Sequence, residues 1–282
     1  MNNPPVAGPI NILISLETIC DNRAALDRLA ELALLMQARL HGLYVEDEEL
    51  LDIAEFPFTQ EVRLHSAAEG GLERNLLEQQ MRSVSRQAEA LLAQVATQWG
   101  VEWQFQRVRG KITTELSRAA QQADIVSILA GNRSSYRGRF LSREQAEIKQ
   151  LMNRPCVVLP PRITPGKEVI AVIDREQDLP HLLEPARLIS QQGKRPVIII
   201  LQNAASDDLR TKIEQFFQNH PVDPQIVTLR PAPATGGLQE LLTLLNRYSA
   251  HMVLIHADNP LLAEAAPETW ARQLNTPVML IR

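Results

Sequence analysis

Ala123-Asp124-Ile125-Val126-Ser127-Ile128-Leu129-Ala130-Gly131-Asn132 returns later in the same chain as Ala250-His251-Met252-Val253-Leu254-Ile255-His256-Ala257-Asp258-Asn259. Each run is followed by a matching close, Asn153-Arg154-Pro155-Cys156-Val157-Val158-Leu159-Pro160 and Asn275-Thr276-Pro277-Val278-Met279-Leu280-Ile281-Arg282. In both places a β-branched apolar run ends in small and amide residues, which turn the chain, and a second apolar run starts behind a proline. A chain of 282 residues that says the same thing twice is expected to form two domains of ordinary size. Their junction falls at Pro160-Pro161-Arg162-Ile163-Thr164-Pro165-Gly166, a short proline-stiffened connector. The expected division is residues 1–160, a linker at 161–166, and residues 167–282.

Working outward from the repeats, apolar runs alternate with stretches of helical spacing. In the first half, Ile10 to Leu16 reads as a strand, Asn22 to Leu40 as a helix and Gly42 to Val45 as a strand. A long helix follows, with Leu77, Met81, Val84, Ala88, Leu91 and Val95 along one face, then a strand over Val101 to Arg109 and a helix over Ile112 to Gln122. A last helix over Ser142 to Met152 precedes the closing strand, Pro155 to Leu159. The second half repeats the order, with strands at Val169 to Ile173, Pro196 to Leu201, Gln225 to Leu229, Met252 to His256 and Val278 to Ile281. Its helices are expected over Leu179 to Gln192, Asp207 to Asn219 and Leu238 to Tyr248, with a short one before the last strand. Such alternation predicts parallel sheets covered on both faces and wound in both directions. In sheets of that kind ligands bind beyond the carboxyl ends of the strands, where the winding reverses. The turns after Leu16, Val45 and Ala130, and after Ile173, Leu201 and His256, are therefore the places to look for chemistry.

Composition excludes several function classes. A net charge of -4 argues against a protein that coats nucleic acid, since phosphate neutralisation needs a basic face. No apolar stretch reaches the roughly 20 residues needed to span a bilayer, and the opening Met1 to Pro9 lacks the basic start and apolar core of a signal peptide, so a cytoplasmic location is expected. Cys20 and Cys156 give neither a disulfide framework nor zinc spacing. Of the six histidines, His251 and His256 are the close pair, and strand alternation puts them on opposite faces, against a shared metal. No Ser-His-Asp or Cys-His arrangement, Walker-type lysine or dinucleotide fingerprint stands out, so no catalytic or metal-binding set is expected.

Read at those turns, each half resembles the universal stress protein family, and the whole chain resembles its tandem members. Ile12-Leu13-Ile14-Ser15-Leu16-Glu17, Leu43-Tyr44-Val45, Val108-Arg109-Gly110, Ala123-Asp124-Ile125-Val126 and Arg154-Pro155-Cys156-Val157-Val158-Leu159 carry the likeness, with Val169-Ile170-Ala171-Val172-Ile173-Asp174 opening the second half. The resemblance implies two tandem doubly wound parallel five-stranded sheets of the adenine nucleotide alpha hydrolase-like, Rossmann-like group. It also implies an internal pseudo-dimer joined through the closing strands Val157 to Leu159 and Val278 to Ile281.

Nucleotide-binding members carry, after the fourth strand, glycine, any two residues, glycine, any nine residues, then glycine and serine or threonine. Small residues there let backbone N–H groups approach phosphate oxygens. Gly131 fits the first position, but Ser134 takes the second and Glu144-Gln145 falls at the third, while Asp258 replaces even the first glycine in the second half. A site in the family manner is therefore expected in the first half or not at all, drawing on Val45, Gly131, Asn132, Arg133, Arg137, Arg139 and Ser142. The arginines could gather a phosphate by side chains; equally, the loop is a solvated surface loop and Ser142 an N-cap. Glu17 and Asp174 hold equivalent positions, where the resemblance implies an acidic residue near the nucleotide or its metal, and otherwise each caps a turn.

The acidic stretch Glu46 to Phe58 has no second-half counterpart and lacks the pattern of a calcium loop. It reads as a helical turn with a Phe-Pro-Phe anchor, or as a dock for a protein partner. The expectation is a non-catalytic stress-response protein that binds or senses ATP, AMP or another phosphorylated ligand in its first half, with a further homodimer left open. The alternatives are a slow nucleotide hydrolase and a purely protein-binding adaptor.

Overall fold

The computed structural model describes residues 10–16, 22–55, 60–62, 69–71, 74–130, 154–202, 207–218, 221, 223–229 and 237–282. First-half strands are β1 (Asn11–Ser15), β2 (Arg39–Asp47), β5 (Trp103–Gly110), β6 (Ile125–Leu129) and β7 (Cys156–Leu159), with a separate two-stranded hairpin of β3 (Gln60–Val62) and β4 (Glu69–Gly71). Its helices are α1 (Arg23–Met36), α2 (Glu48–Ile53), α3 (Arg74–Trp99) and α4 (Ile112–Ala120). The second half supplies β8 (Glu168–Ile173), β9 (Val197–Leu201), β10 (Gln225–Thr228), β11 (Ala250–His256) and β12 (Val278–Ile281). Around them lie α5 (Leu179–Gly193), α6 (Asp207–Phe217), α7 (Gly237–Leu245), α8 (Leu261–Glu264) and α9 (Pro267–Leu274).

The strands form one sheet in the order β10-β9-β8-β11-β12-β7-β6-β1-β2-β5. Each half thus has the same internal order, and pairing is parallel throughout except where β12 meets β7, antiparallel, with Val278 opposite Val158 and Leu280 opposite Cys156. The two expected five-stranded sheets are continuous through the two closing strands, which the resemblance named. The central strands β7, β8, β9, β11 and β12 are buried almost throughout, as a sheet covered on both faces requires, whereas the edge strands β5 and β10 are more open. α1, α3, α5 and α6 cover the front face over one core that runs through both halves, and α4, α7 and α9 cover the back.

Local sequence explains the elements. Asn22 caps α1 by accepting from Ala25 N at 3.1 Å, and its amide also donates to the Pro161 carbonyl of the connector at 3.1 Å. Gly42 lets α3 close on β2: a Cβ there would come within 2.5 Å of Leu92 Cδ2 and 2.7 Å of Leu16 Cδ1. The buried side of α3 is accordingly Met81, Ser85, Ala88, Leu92, Val95 and Ala96, whereas Val84, expected in the core, is exposed and Leu91 only partly buried. The helix has turned so that Leu92, not Leu91, enters the space above Gly42.

One strand departs from regular alternation. Between Ala250 and Met252 the register against β8 slips by one residue, so that His251 is extra. Met252 and Leu254 then face the front core, and His251 meets α1 on that same side, through Arg28 and Glu31. His256 meets Asp178 at the head of α5, also at the front. The expectation that the two histidines lie on opposite faces is therefore corrected, the bulge having shifted the parity. Gly166 packs against this bulge; a Cβ there would lie 2.0 Å from the Ala250 carbonyl oxygen.

Beside the closing strands, a compact polar knot ties the halves together. Arg28 Nη1 lies 2.6 Å from His251 Nδ1 and 2.7 Å from Glu31, Glu31 also holds Arg195, and Arg195 donates to the Gly166 carbonyl at 3.1 Å. His251 is 2% exposed. Burial first, then Arg28 and Arg195, push its pKa from 6.5 down to about 3, so it stands neutral as the acceptor that a guanidinium needs.

Candidate functional site

The strand order reverses its winding between β1 and β6 in the first half and between β8 and β11 in the second. These two switch points are the crevices in which a ligand of this architecture is held. Because β7 and β12 run antiparallel, the crevices open at opposite ends of the sheet.

The turns after β8 and β11, which flank the second-half crevice, are described, and their side chains pair with one another. His256 ends β11, and its Nδ1 accepts from Asp258 N at 3.2 Å and lies 3.3 Å from Arg175 Nη2. Asp178, 1% exposed, binds the backbone N–H and guanidinium of Arg175 at 3.2 to 3.4 Å and lies 4.0 Å from His256. His181 stacks obliquely on His256, ring centres 6.3 Å apart. Deeper in, Gln202 and Asn259 form a buried amide pair: Asn259 Nδ2 donates to Gln202 Oε1 at 3.1 Å, while Asn259 Oδ1 accepts from Leu261 N at 3.0 Å.

The turn's N–H groups are already spent. Ala257 N donates to Ile281 O at 2.8 Å, Asp258 N to His256, Asn259 N to His256 O at 3.0 Å and Leu262 N to Asn259 O at 3.0 Å. A phosphate loop works by holding such donors free for the anion, and here they close on themselves. Asp174, half-buried directly after β8, borders this crevice and is the one acidic residue of the sequence-predicted set that the structure describes.

In the first half, Ser15-Leu16 and Ala130 end the two strands at the switch point, and Ala130 N is tied to Leu159 O at 2.7 Å. Glu17, Gly131, Asn132, Arg133, Arg137, Arg139 and Ser142 lie outside the described residues, as does the expected helix from Ser142 to Met152. Val45 is described, and its side chain is packed in the core with Leu13, Leu43 and Ile112.

Next to Val45, Glu46, read from sequence as the start of the acidic helical turn, lies in strand β2 instead. Its side chain, 9% exposed, accepts from Arg109 at 3.1 and 3.2 Å and faces Arg107 at 3.7 Å. Glu78 of α3 meets Arg109 at 3.3 Å and Arg74 at 3.6 Å. The bond from Glu46 comes first among the influences that raise the Arg109 pKa, which fixes that cation at the rim. The acidic segment is also tied down: Glu49 pairs with Lys111 at 2.9 Å, and Glu55 pairs with Arg74. Only the order of strands, and not any motif, would have brought Glu46 and Arg109 together from sequence.

Among the described residues, no cluster of three or more histidine, cysteine or acidic side chains is arranged to hold a metal ion. Cys156 is buried, and burial pushes its thiol pKa far upward, which leaves it a packing residue. No helix among the described residues is long and apolar enough to cross a membrane.

No protein-family model matches the sequence, and no curated protein matches it significantly. Solved structures do. A universal stress protein from Archaeoglobus fulgidus DSM 4304 aligns with a TM-score of 0.65 at 13% identity, covering 96% of this chain and 97% of its own. A protein of unknown function from Pseudomonas aeruginosa PAO1 aligns with a TM-score of 0.54 at 14% identity, over 97% of this chain and 92% of its own. The likeness runs through both halves and shows that this chain has the fold of the universal stress proteins.

Proposed function

We propose that this protein is a non-catalytic stress-response protein of the universal stress type, acting in the cytoplasm, that binds one adenine nucleotide or similar phosphorylated ligand in its first-half crevice. The observation that carries the reading is the asymmetry of the two switch points. The second is closed by the Gln202–Asn259 pair and by the His256–Arg175–Asp178 knot, and its turn N–H groups are spent internally. The corresponding first-half turn keeps Gly131 and continues into a sequence with Arg133, Arg137, Arg139 and Arg143, a composition suited to phosphate oxygens. Binding without turnover is favoured because the sequence carries no Ser-His-Asp or Cys-His arrangement and no Walker-type lysine. Asp174 borders the closed crevice, so its role in this reading is to shape a turn.

The test is to denature the freshly purified protein, identify any released nucleotide by mass spectrometry, and titrate the stripped protein with ATP and AMP with and without magnesium. Retained nucleotide, or binding that weakens on Arg133→Ala and Arg137→Ala, is expected. No released nucleotide and no heat at millimolar ATP or AMP would remove the nucleotide reading.

A further inference from the structure

β5 ends the sheet, with no strand beyond it among the described residues. It is long for an edge, pairs with β2 without interruption from Trp103 to Gly110, and carries neither proline nor bulge. Such an edge is a template for another strand unless something blunts it. Glu102 directs its carbonyl toward β2, where Leu40 N donates to it at 2.9 Å. Alternation then turns the main-chain groups of Trp103, Phe105, Arg107 and Arg109 outward.

We infer that this edge pairs with β5 of a second copy of the chain, antiparallel, with Gln106 on the two-fold axis. In that register Trp103 stands opposite Arg109 of the second copy and Phe105 opposite Arg107, both in hydrogen-bonded positions, while Gln104 faces Val108. Aromatic rings meet guanidinium groups and no like charges are opposed. Moving the axis to Arg107 would oppose two arginines, and moving it to Phe105 would set Arg109 against Val101 in place of an aromatic ring.

The helix above the strand carries an independent match. Arg109 touches Glu78 at 3.3 Å and Val101 N donates to Ala96 O at 2.9 Å, so α3 runs antiparallel over β5 between those two points. Interpolating between them puts Gln106 beneath Ser85 and Arg86. An axis there brings α3 of the second copy alongside in the opposite direction, with Arg82 across from Glu89 and Glu89 across from Arg82. Both residues are exposed and both follow Glu78 on the stripe of α3 nearest the edge. Strand and helix thus choose the same two-fold point, and their charge patterns are self-complementary about it. An isologous interface requires this kind of self-complementarity.

Light scattering after size exclusion should give twice the 31.6 kDa chain mass at tens of micromolar protein. Gln106→Cys should form an interchain disulfide under mild oxidation, since paired positions on the axis lie within disulfide reach. Gln104→Cys should form none above the wild-type background of Cys20 and Cys156. Arg82→Glu and Glu89→Arg should each weaken the dimer by about fivefold to tenfold, and the double variant should restore it. These substitutions are on the surface, so the fold is retained. A monomer at those concentrations, cross-linking of Gln104→Cys as readily as Gln106→Cys, or no recovery in the double variant would overturn the proposal.

Discussion

Replacing His251 with asparagine should remove a defined part of the protein's acid sensitivity. In the folded chain His251 is held neutral by burial and by Arg28 and Arg195, with its pKa near 3, whereas an unfolded histidine titrates near 6.5. The unfolded chain therefore binds a proton that the folded one refuses. Protonation favours unfolding, so the contribution is complete above about pH 6.5 and is lost as pH falls toward 3. Each pH unit in that window is worth about 1.4 kcal/mol, so about 2 kcal/mol is gone by pH 5, and the ceiling is about 5 kcal/mol. Urea unfolding at pH 7, 6, 5 and 4.5, followed by circular dichroism, would measure it. The wild-type stability should fall more steeply with acid than that of His251→Asn, by about one proton's worth of slope. At pH 7 the variant should be the less stable of the two, because the shorter asparagine leaves part of the buried imidazole's volume unfilled. Parallel curves for the two proteins would refute the claim that this histidine is a neutral acceptor locked between two guanidinium groups.

Gly166→Ala forces a methyl group to within 2.0 Å of the Ala250 carbonyl oxygen, and should cost about 3 kcal/mol or more of stability in the same assay. Asn259→Ala removes the partner of the buried Gln202 amide and should cost about 1 to 3 kcal/mol. It should leave nucleotide affinity unchanged, as read by calorimetry, if the second-half crevice binds nothing. Arg28→Met breaks the knot between the halves while keeping the aliphatic bulk of the side chain, and should cost about 1 to 3 kcal/mol. Its pH profile should also flatten, because the nearest charge opposing protonation of His251 is gone.

Much of this architecture was legible in the sequence because parallel buried strands write themselves as continuous β-branched runs. Val169 to Ile173, Pro196 to Leu201 and Val278 to Ile281 each appear in the structure within a residue or so of the reading. The meeting of the closing strands was reached through the resemblance. The bulge at His251 was not legible, since nothing in Ala250-His251-Met252 marks an inserted residue, and the residue packed against it, Gly166, lies far away along the chain. The face of α3 was misjudged by one position for a related reason. Apolar spacing was read as placing Leu91 on the face, and the gap above Gly42 takes Leu92 instead. Polar groups were harder still, because the knot of Arg28, Glu31, Arg195 and His251 joins three separate parts of the chain. The sequence did expose the loss of phosphate-loop glycines in the second half, and Asp258 and Asn259 show the physical result, a turn that satisfies its own donors.

The central claim is that one crevice binds and the other is closed. Native mass spectrometry of the intact protein at increasing ATP or AMP measures it directly as nucleotides bound per chain. A single occupied site is expected, which disappears when Arg133 and Arg137 are replaced by alanine and persists in Asn259→Ala. Two equivalent nucleotides per chain, or one that survives loss of both arginines and vanishes with Asn259→Ala, would contradict it.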